Sequence, residues 1–348
     1  MSGARLERRA AVMRRVAEIF SRAGVQVELE ATRSAGSAGE QARAAVRGGC
    51  DAVFACGGDG TVFDVLQGMA ESPAIMGVIP LGTGNVLAHD LGLSDEPERA
   101  AAQLLGFTPR TISLGRIQWA GSARYFTVAA GVGVHAELIY RATANVKQRG
   151  GYLAYYAQGA QLLLRHPFVA FPVRITTGCG EVIETTALEL LAMRVSSFGG
   201  PLRHWRPGSC LLSPELRLVL LRSANRPHLV RYMLQALTGS ASYLGLDAPN
   251  ADFCFVNATS VQCRLPLANV GGLAPQQART THAGDPELSP QQAKTTLAGD
   301  PGLRVQADGE LLGLAPAEIG IVPKALTMLI SPEATWDPVS QSPAARRF

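Results

Sequence analysis

The segment Gly57-Gly58-Asp59-Gly60-Thr61 lies directly after Asp51-Ala52-Val53-Phe54-Ala55-Cys56 and directly before Val62-Phe63-Asp64-Val65-Leu66-Gln67-Gly68. That order predicts a buried strand, a glycine turn and a helix start. Such a turn aims several backbone N–H groups and the positive end of a helix dipole at one point, where a phosphate is the usual occupant. Glycine suits the turn because a side chain would block the close approach of backbone to a polyanion, and because some positions call for φ > 0. Asp59 is the unusual member. A carboxylate beside a phosphate nest repels the ligand unless a cation or a transferable proton stands between them, so the pattern points to phosphoryl chemistry.

A second turn, Pro80-Leu81-Gly82-Thr83-Gly84-Asn85, follows an apolar run at Ile75–Ile79 and opens a helix through about Leu91. Upstream, Leu6, Met13, Val16, Ile19 and Phe20 form one stripe of a helix over 5–23 that Gly24 ends. Val25–Glu30 alternates as a strand, Thr32–Gly39 is a small-residue loop, and Glu40–Arg47 is helical. Strands alternating with helices predict a parallel sheet, whose ligands bind at the carboxyl ends of its strands. Both glycine turns fall there.

Past residue 115 the rhythm changes. Strands are expected near 111–119, 124–130, 168–176, 181–195, 210–222, 252–265, 303–307 and 318–330, with helices near 136–145, 152–164 and 228–237. The fold class expected is therefore α/β, with an N-terminal parallel nucleotide-binding domain over 1–115. A mainly antiparallel, β-sandwich-like domain follows over 116–331, then a tail over 332–348. The active site is expected in a cleft between the domains. Pro275-Gln276-Gln277-Ala278-Arg279-Thr280-Thr281 recurs as Pro290-Gln291-Gln292-Ala293-Lys294-Thr295-Thr296, which marks 275–304 as a duplicated, low-complexity exposed loop.

A chain of 348 residues, 47% hydrophobic and 17% charged, has the length for two cores and the composition of a globular protein. Its net charge of +4 is mild: compatible with anionic ligands or an anionic membrane surface, and no sign of nucleic-acid binding. No stretch reaches the ~18 apolar residues that span a bilayer, and the N-terminus lacks the apolar core of a signal peptide. Cys50, Cys56, Cys179, Cys210, Cys254 and Cys263 show neither C-x-x-C pairing nor metal-ligand spacing. Reduced thiols in a cytoplasmic protein are expected.

The motifs resemble the diacylglycerol-kinase-type lipid kinase family, including its bacterial lipid kinases and the sphingosine kinases. The matching pieces are Gly57–Thr61, Pro80-Leu81-Gly82-Thr83-Gly84-Asn85-Val86-Leu87-Ala88, Ala130-Gly131-Val132-Gly133, Lys147…Gly150-Gly151-Tyr152…Tyr155-Tyr156, Asp308-Gly309-Glu310 and Pro323-Lys324-Ala325-Leu326. The likeness implies an ATP- and Mg²⁺-dependent kinase of lipid metabolism that phosphorylates a hydroxyl of a diacylglycerol-like or sphingoid lipid. It would be cytoplasmic, touch the membrane surface transiently and, as family members often do, pair as a homodimer. By the same resemblance Gly57, Gly58, Asp59, Gly60 and Thr61 wrap the ATP phosphates. Gly82, Thr83, Gly84 and Asn85 line the nucleotide pocket, with Thr32 touching the nucleotide. Glu310 is the general base, and Asp59 holds a Mg²⁺-linked water network; the base role has been given to either acid.

Several positions depart from the family pattern. Met1-Ser2-Gly3 begins inside the family's N-P-x-S-G loop, so the first strand is expected to be missing. Phe63-Asp64 stands where Asn-Glu is usual, Ser213-Pro214 where a D-G contributes to a structural Mg²⁺ site, and His135 where an Asp is usual. A NAD kinase-like enzyme and a catalytically silent relative remain as alternatives. Simpler roles also remain for single residues: Asp59 or Asn85 as a helix cap, Glu310 as a hairpin carboxylate, His89 and His135 as packing residues. Tyr152, Tyr155 and Tyr156 fit a packing stripe or a lipid groove. Arg203-His204-Trp205-Arg206 fits an exposed loop or a membrane contact.

Overall fold

The computed structural model describes residues 3–137, 139, 168–196, 198, 206, 208–238, 253–265 and 302–334. The 275–301 part of the duplicated loop, the 147–156 stretch and Arg203-His204-Trp205 lie outside them. The described residues form two compact units, the first holding 3–114, 198 and 323–334, the second holding the rest.

In the first unit, α1 (Gly3–Arg22) and α2 (Ala38–Arg47) lead into β1 (Ala52–Gly57), α3 (Asp59–Met69), β2 (Ile75–Pro80), α4 (Val86–Asp90) and α5 (Pro97–Leu104). β1 and β2 run parallel, Ala52 facing Ile75 through Gly57 facing Pro80. The apolar spacing of α3 explains its place: Val62, Phe63, Val65, Leu66 and Met69 are buried. α1 packs through Val16 and Phe20, whose ring stands 4.8 Å from that of Phe54 on β1. Phe54 in turn covers Gly77 of β2, where a Cβ would run into the ring. α2 and α3 meet backbone to backbone at Gly39 and Gly68; a Cβ on either would overlap the main chain of the other helix.

The expected strand at Val25–Glu30 does not form. Alternation alone builds no strand without a ladder partner: Val25 and Leu29 are 44% and 50% exposed, and β1 ends its side of the sheet. α5 lacks a sequence signal beyond Pro97 at its first position, and β13 (below) is short; neither was expected.

The second unit is antiparallel, as expected. Its main sheet has the order β10-β9-β8-β5-β12-β13, from Phe253–Ala258, Leu216–Leu221, Glu189–Met193, Ala129–Gly133, Arg304–Ala307 and Glu310–Leu314. A second ladder joins β7 (Val182–Ala187), β6 (Phe171–Thr176) and β11 (Ser260–Cys263) to Ala317–Gly320 of β14 (Ala317–Ile330). The far half of β14 belongs to the first unit, where Thr327 and Met328 pair parallel with Ile75 and Met76. β3 (Thr108–Trp119) and β4 (Ser122–Phe126) close a hairpin through Ala120 and Gly121, both at positive φ, as a two-residue primed turn requires. One more helix, α6 (Arg226–Thr238), is described in this unit. Every residue of β5, β9 and β12 is buried, including the polar Arg217, Arg304 and Gln306; β5 reads as an apolar run without alternation.

Charged groups inside this unit are held by the main chain. Arg194 is fully buried and donates to the carbonyl oxygens of Leu211 (2.6 Å), Ser213 (2.8 Å) and Glu215 (2.8 Å). Arg304 pairs with Glu137 at 2.6 Å. Glu189 accepts the His135 N–H at 2.9 Å through Oε2, while its Oε1 is buried without a hydrogen-bond partner among the described residues. Burial pushes the Glu189 carboxyl up to about 8, against the pull of the His135 and Val134 amides, and pushes the His135 imidazole down to about 4.

Two outcomes follow from this packing. Gly68→Ala forces α2 and α3 apart and is expected to lower stability by about 1–3 kcal/mol in urea unfolding. The Glu189 carboxyl keeps its proton in the folded state to about pH 8 and loses it near 4.5 when unfolded, so its stabilisation is complete at low pH and fades as pH rises to about 8. His135 acts oppositely, and only below about 6.5. Between pH 6.5 and 8, stability should therefore fall in the wild type and stay level in Glu189→Gln, as urea midpoints at each pH would show.

Candidate active site

The two glycine turns are joined by one side chain. Asp59, the first residue of α3, accepts the Asn85 N–H at 3.0 Å through Oδ2 and the Val86 N–H at 2.7 Å through Oδ1. It therefore caps α4, the helix that opens after the other turn. The helix-cap role is real, but it is served across the turns and not on its own helix. Asn85 sits at φ 49, ψ 40 in the left-handed region and caps nothing with its side chain. Its amide instead closes its own turn, Oδ1 accepting from Gly82 N at 3.0 Å and Nδ2 donating to Gly82 O at 3.1 Å. Asn tolerates this backbone better than most residues. With Asn85 only 6% exposed, that double bond also satisfies a buried amide.

Glycine is required where the turns touch. A Cβ on Gly82 would stand 2.5 Å from Gly58 Cα and 2.8 Å from Asn85 Oδ1, and one on Gly58 would stand 3.2 Å from Gly82 Cα. A Cβ on Gly57 would strike the Thr61 side chain at 2.5 Å. Leu81 N donates to Gly57 O at 2.9 Å, tying the second turn to the end of β1. Gly58, extended at φ −91, ψ −175, is the residue before α3, and no side chain caps that helix. Its carbonyl accepts from Thr61 N and Val62 N. The amides of Asp59 and Gly60, at the first two positions of α3, precede the helix's own ladder and are the donors a phosphate would meet.

Among the sequence-expected residues, the structure brings Gly57, Gly58, Asp59, Gly60, Thr61, Gly82, Thr83, Gly84 and Asn85 together at the carboxyl ends of β1 and β2. Thr32 lies on an exposed loop outside these turns. Phe63 is 5% exposed, so the ring that replaces the family's usual amide is a core residue. These residues suit a nucleoside triphosphate: helix α3 opens with its first amides beside the second turn, and Gly58 and Gly82 let the two turns close on each other where a side chain would not fit. They fit Mg²⁺ as an ion carried on the phosphates, since Asp59 is the one acid in the turns and both its oxygens already accept amides; no group of three potential ligands occurs among the described residues.

Glu310 belongs to the second unit. It opens β13 after Asp308 (φ 46) and Gly309 (φ 85), with Ala307 facing Glu310 across the turn. Asp308 is the residue that sequence reasoning missed. Its carboxylate accepts from Thr127 N, Val128 N and Ala129 N, each at 2.9 Å, and from Thr127 Oγ1 at 3.2 Å. Burial pushes this carboxyl up to about 6, while the four donors hold it down. The D-G pair signalled a hairpin turn in the sequence; nothing there signalled an anchor 180 residues away. Asp308 so fixes where Glu310 stands. At Ser213-Pro214 the structure does not fit the second metal implied by the family, because a guanidinium already takes the carbonyls there.

Residues 1–117 match the family model of the diacylglycerol kinase catalytic domain. A diacylglycerol kinase of Bacillus subtilis (strain 168) is 31% identical over 229 residues, covering 64% of this chain and 72% of that protein. One from Mycobacterium tuberculosis (strain ATCC 25618 / H37Rv) is 29% identical over 296 residues, covering 82% and 79%. A diacylglycerol kinase crystal structure from Bacillus anthracis str. Sterne shares the fold with a TM-score of 0.61 at 17% identity, covering 94% of this chain and 93% of that one. Another from the same organism gives 0.66 at 18%, covering 94% and 91%. Two Asp-anchored motifs in the family's order, on the family's fold and at this level of identity, place the chain in the diacylglycerol kinase family of lipid kinases.

Proposed function

We propose that this protein transfers the terminal phosphoryl group of ATP, with Mg²⁺, to a hydroxyl of a diacylglycerol-like or sphingoid membrane lipid. The observation that carries this reading is the pair of glycine turns clamped by Asp59, a cradle shaped for a polyphosphate. Phosphoryl transfer asks little covalent chemistry of a protein and depends on positioning and charge. In this reading Gly57 to Thr61 grip the phosphates through main-chain amides, and Gly82, Thr83, Gly84 and Asn85 form the facing wall. Thr32 touches the nucleotide from its loop. Mg²⁺ supplies charge neutralisation on the departing diphosphate, with Asp59 reaching it through water. Glu310 takes the proton of the lipid hydroxyl as that oxygen attacks phosphorus. Asp308 is a positioning residue that fixes the start of β13. Residues 1–115 would then serve the nucleotide and the β-rich remainder the lipid.

No helix among the described residues is long and apolar enough to cross a membrane. We read the protein as a peripheral visitor to the membrane that carries its substrate. The test is transfer of labelled phosphate from ATP in the presence of Mg²⁺ to diacylglycerol, sphingosine or NAD. Label is expected on a lipid. Glu310→Gln should lower kcat by about 100-fold or more while ATP still binds. Gly82→Ala should instead weaken ATP binding, because its methyl group meets Gly58. Label on NAD alone would discard the lipid assignment.

A further inference from the structure

Among the described side chains of helix α6, Leu229 is buried while Val230 and Leu234 are exposed. Leu229 is 2% exposed and packs on Leu188 and Leu221, with Phe168 and Phe253 beside them. At about 100° per residue, Val230 and Leu234 point roughly 100° and 140° away from Leu229. They are 45% and 59% exposed, and Pro227 is exposed on the same ridge. Arg226 borders this ridge on one flank and Arg231 on the other, both exposed, and Arg222 is exposed just before the helix. The charge is one-sided: no Asp or Glu occurs between Glu215 and Asp247. An apolar ridge between arginines, on a helix whose own sequence carries no acid, is the pattern of a helix that lies in a lipid headgroup layer.

We propose that α6 docks the protein on an anionic lipid surface, Pro227, Val230 and Leu234 entering the headgroup boundary and Arg222, Arg226 and Arg231 meeting lipid phosphates. This rests on the lipid-kinase reading, to which it adds a surface and a partner. The charge favours this occupant over a second copy of the chain, whose own α6 would present the same arginines. Such a contact weakens as salt rises, because surface charges are screened beyond about 10 Å at 0.1 M.

Co-sedimentation with vesicles tests it, using phosphatidylcholine alone and phosphatidylcholine with phosphatidylglycerol. The protein should bind the mixed vesicles and leave the neutral ones, with retention lost at high salt. Val230→Ser/Leu234→Ser should lower binding about tenfold or more and keep the salt dependence; Arg226→Ser/Arg231→Ser should lower binding and flatten it. All four side chains are exposed, so the unfolding midpoint should stay put. Equal binding by variants and wild type, equal binding to both vesicles, or none to either overturns the proposal. So does a change in self-association in place of vesicle binding. Phosphorylation of a short-chain diacylglycerol dissolved as monomer separates the two ideas. Activity there without vesicle binding removes the docking surface and leaves the kinase; ridge-dependent vesicle binding without activity on any lipid removes the kinase and leaves the surface.

Discussion

The carboxylate of Asp59 is the joint on which the first unit's site depends. Two parallel strands end side by side, and each is followed by a glycine turn and a helix. Two helix starts of that kind present amide donors with nothing to accept them, and two turns without side chains have little to hold them at one distance. A single acid on the first helix, accepting both amides at the opening of the second, answers both needs. Gly58 and Gly82 then come close enough that a methyl group would not fit between them. The cradle is rigid because its walls are fastened to each other before any ligand arrives, which spares the cost of ordering it on binding.

The second unit uses the same device. Asp308 accepts three consecutive amides and a hydroxyl from residues 127–129, so a tight left-handed turn is tied to a strand far away in sequence. Arg194 does the complementary work with carbonyl oxygens around 211–215. In each case a buried charge is tolerable because main-chain dipoles surround it, and removal of that charge would leave several backbone groups unpaired at once.

Much of this was legible in the sequence, and the parts that were not share a cause. The G-G-D-G-T and P-L-G-T-G-N turns were readable because glycine constraints are local, and the change from helix-strand alternation to strands alone was readable because periodicity is local. The partner of Asp59 was not, since a carboxylate beside a glycine turn looks the same whether it meets a metal or the amides of Asn85 and Val86. The partner of Asp308 lay about half the chain away, where no local pattern could reach it. Val25–Glu30 alternates like a strand yet has no neighbour to pair with, and β14 gives its two halves to different units, a fact that only pairing reveals. Arg194 gave no sign in the sequence either; a buried arginine reads as a surface one until the carbonyls around it are known.

Asp59's structural work bears on how its chemistry should be understood. Both oxygens of Asp59 already accept main-chain amides, which fixes the carboxylate between the two turns. That fixed position is what the role we propose for it needs, a carboxylate held in one place near a cation carried by a triphosphate. Glu310 stands in the second unit, at the start of β13, where the anchored Asp308 turn places it. Of the two acids to which the base role has been given, Asp59 joins the two turns of the first unit, and the proton transfer is what we propose for Glu310.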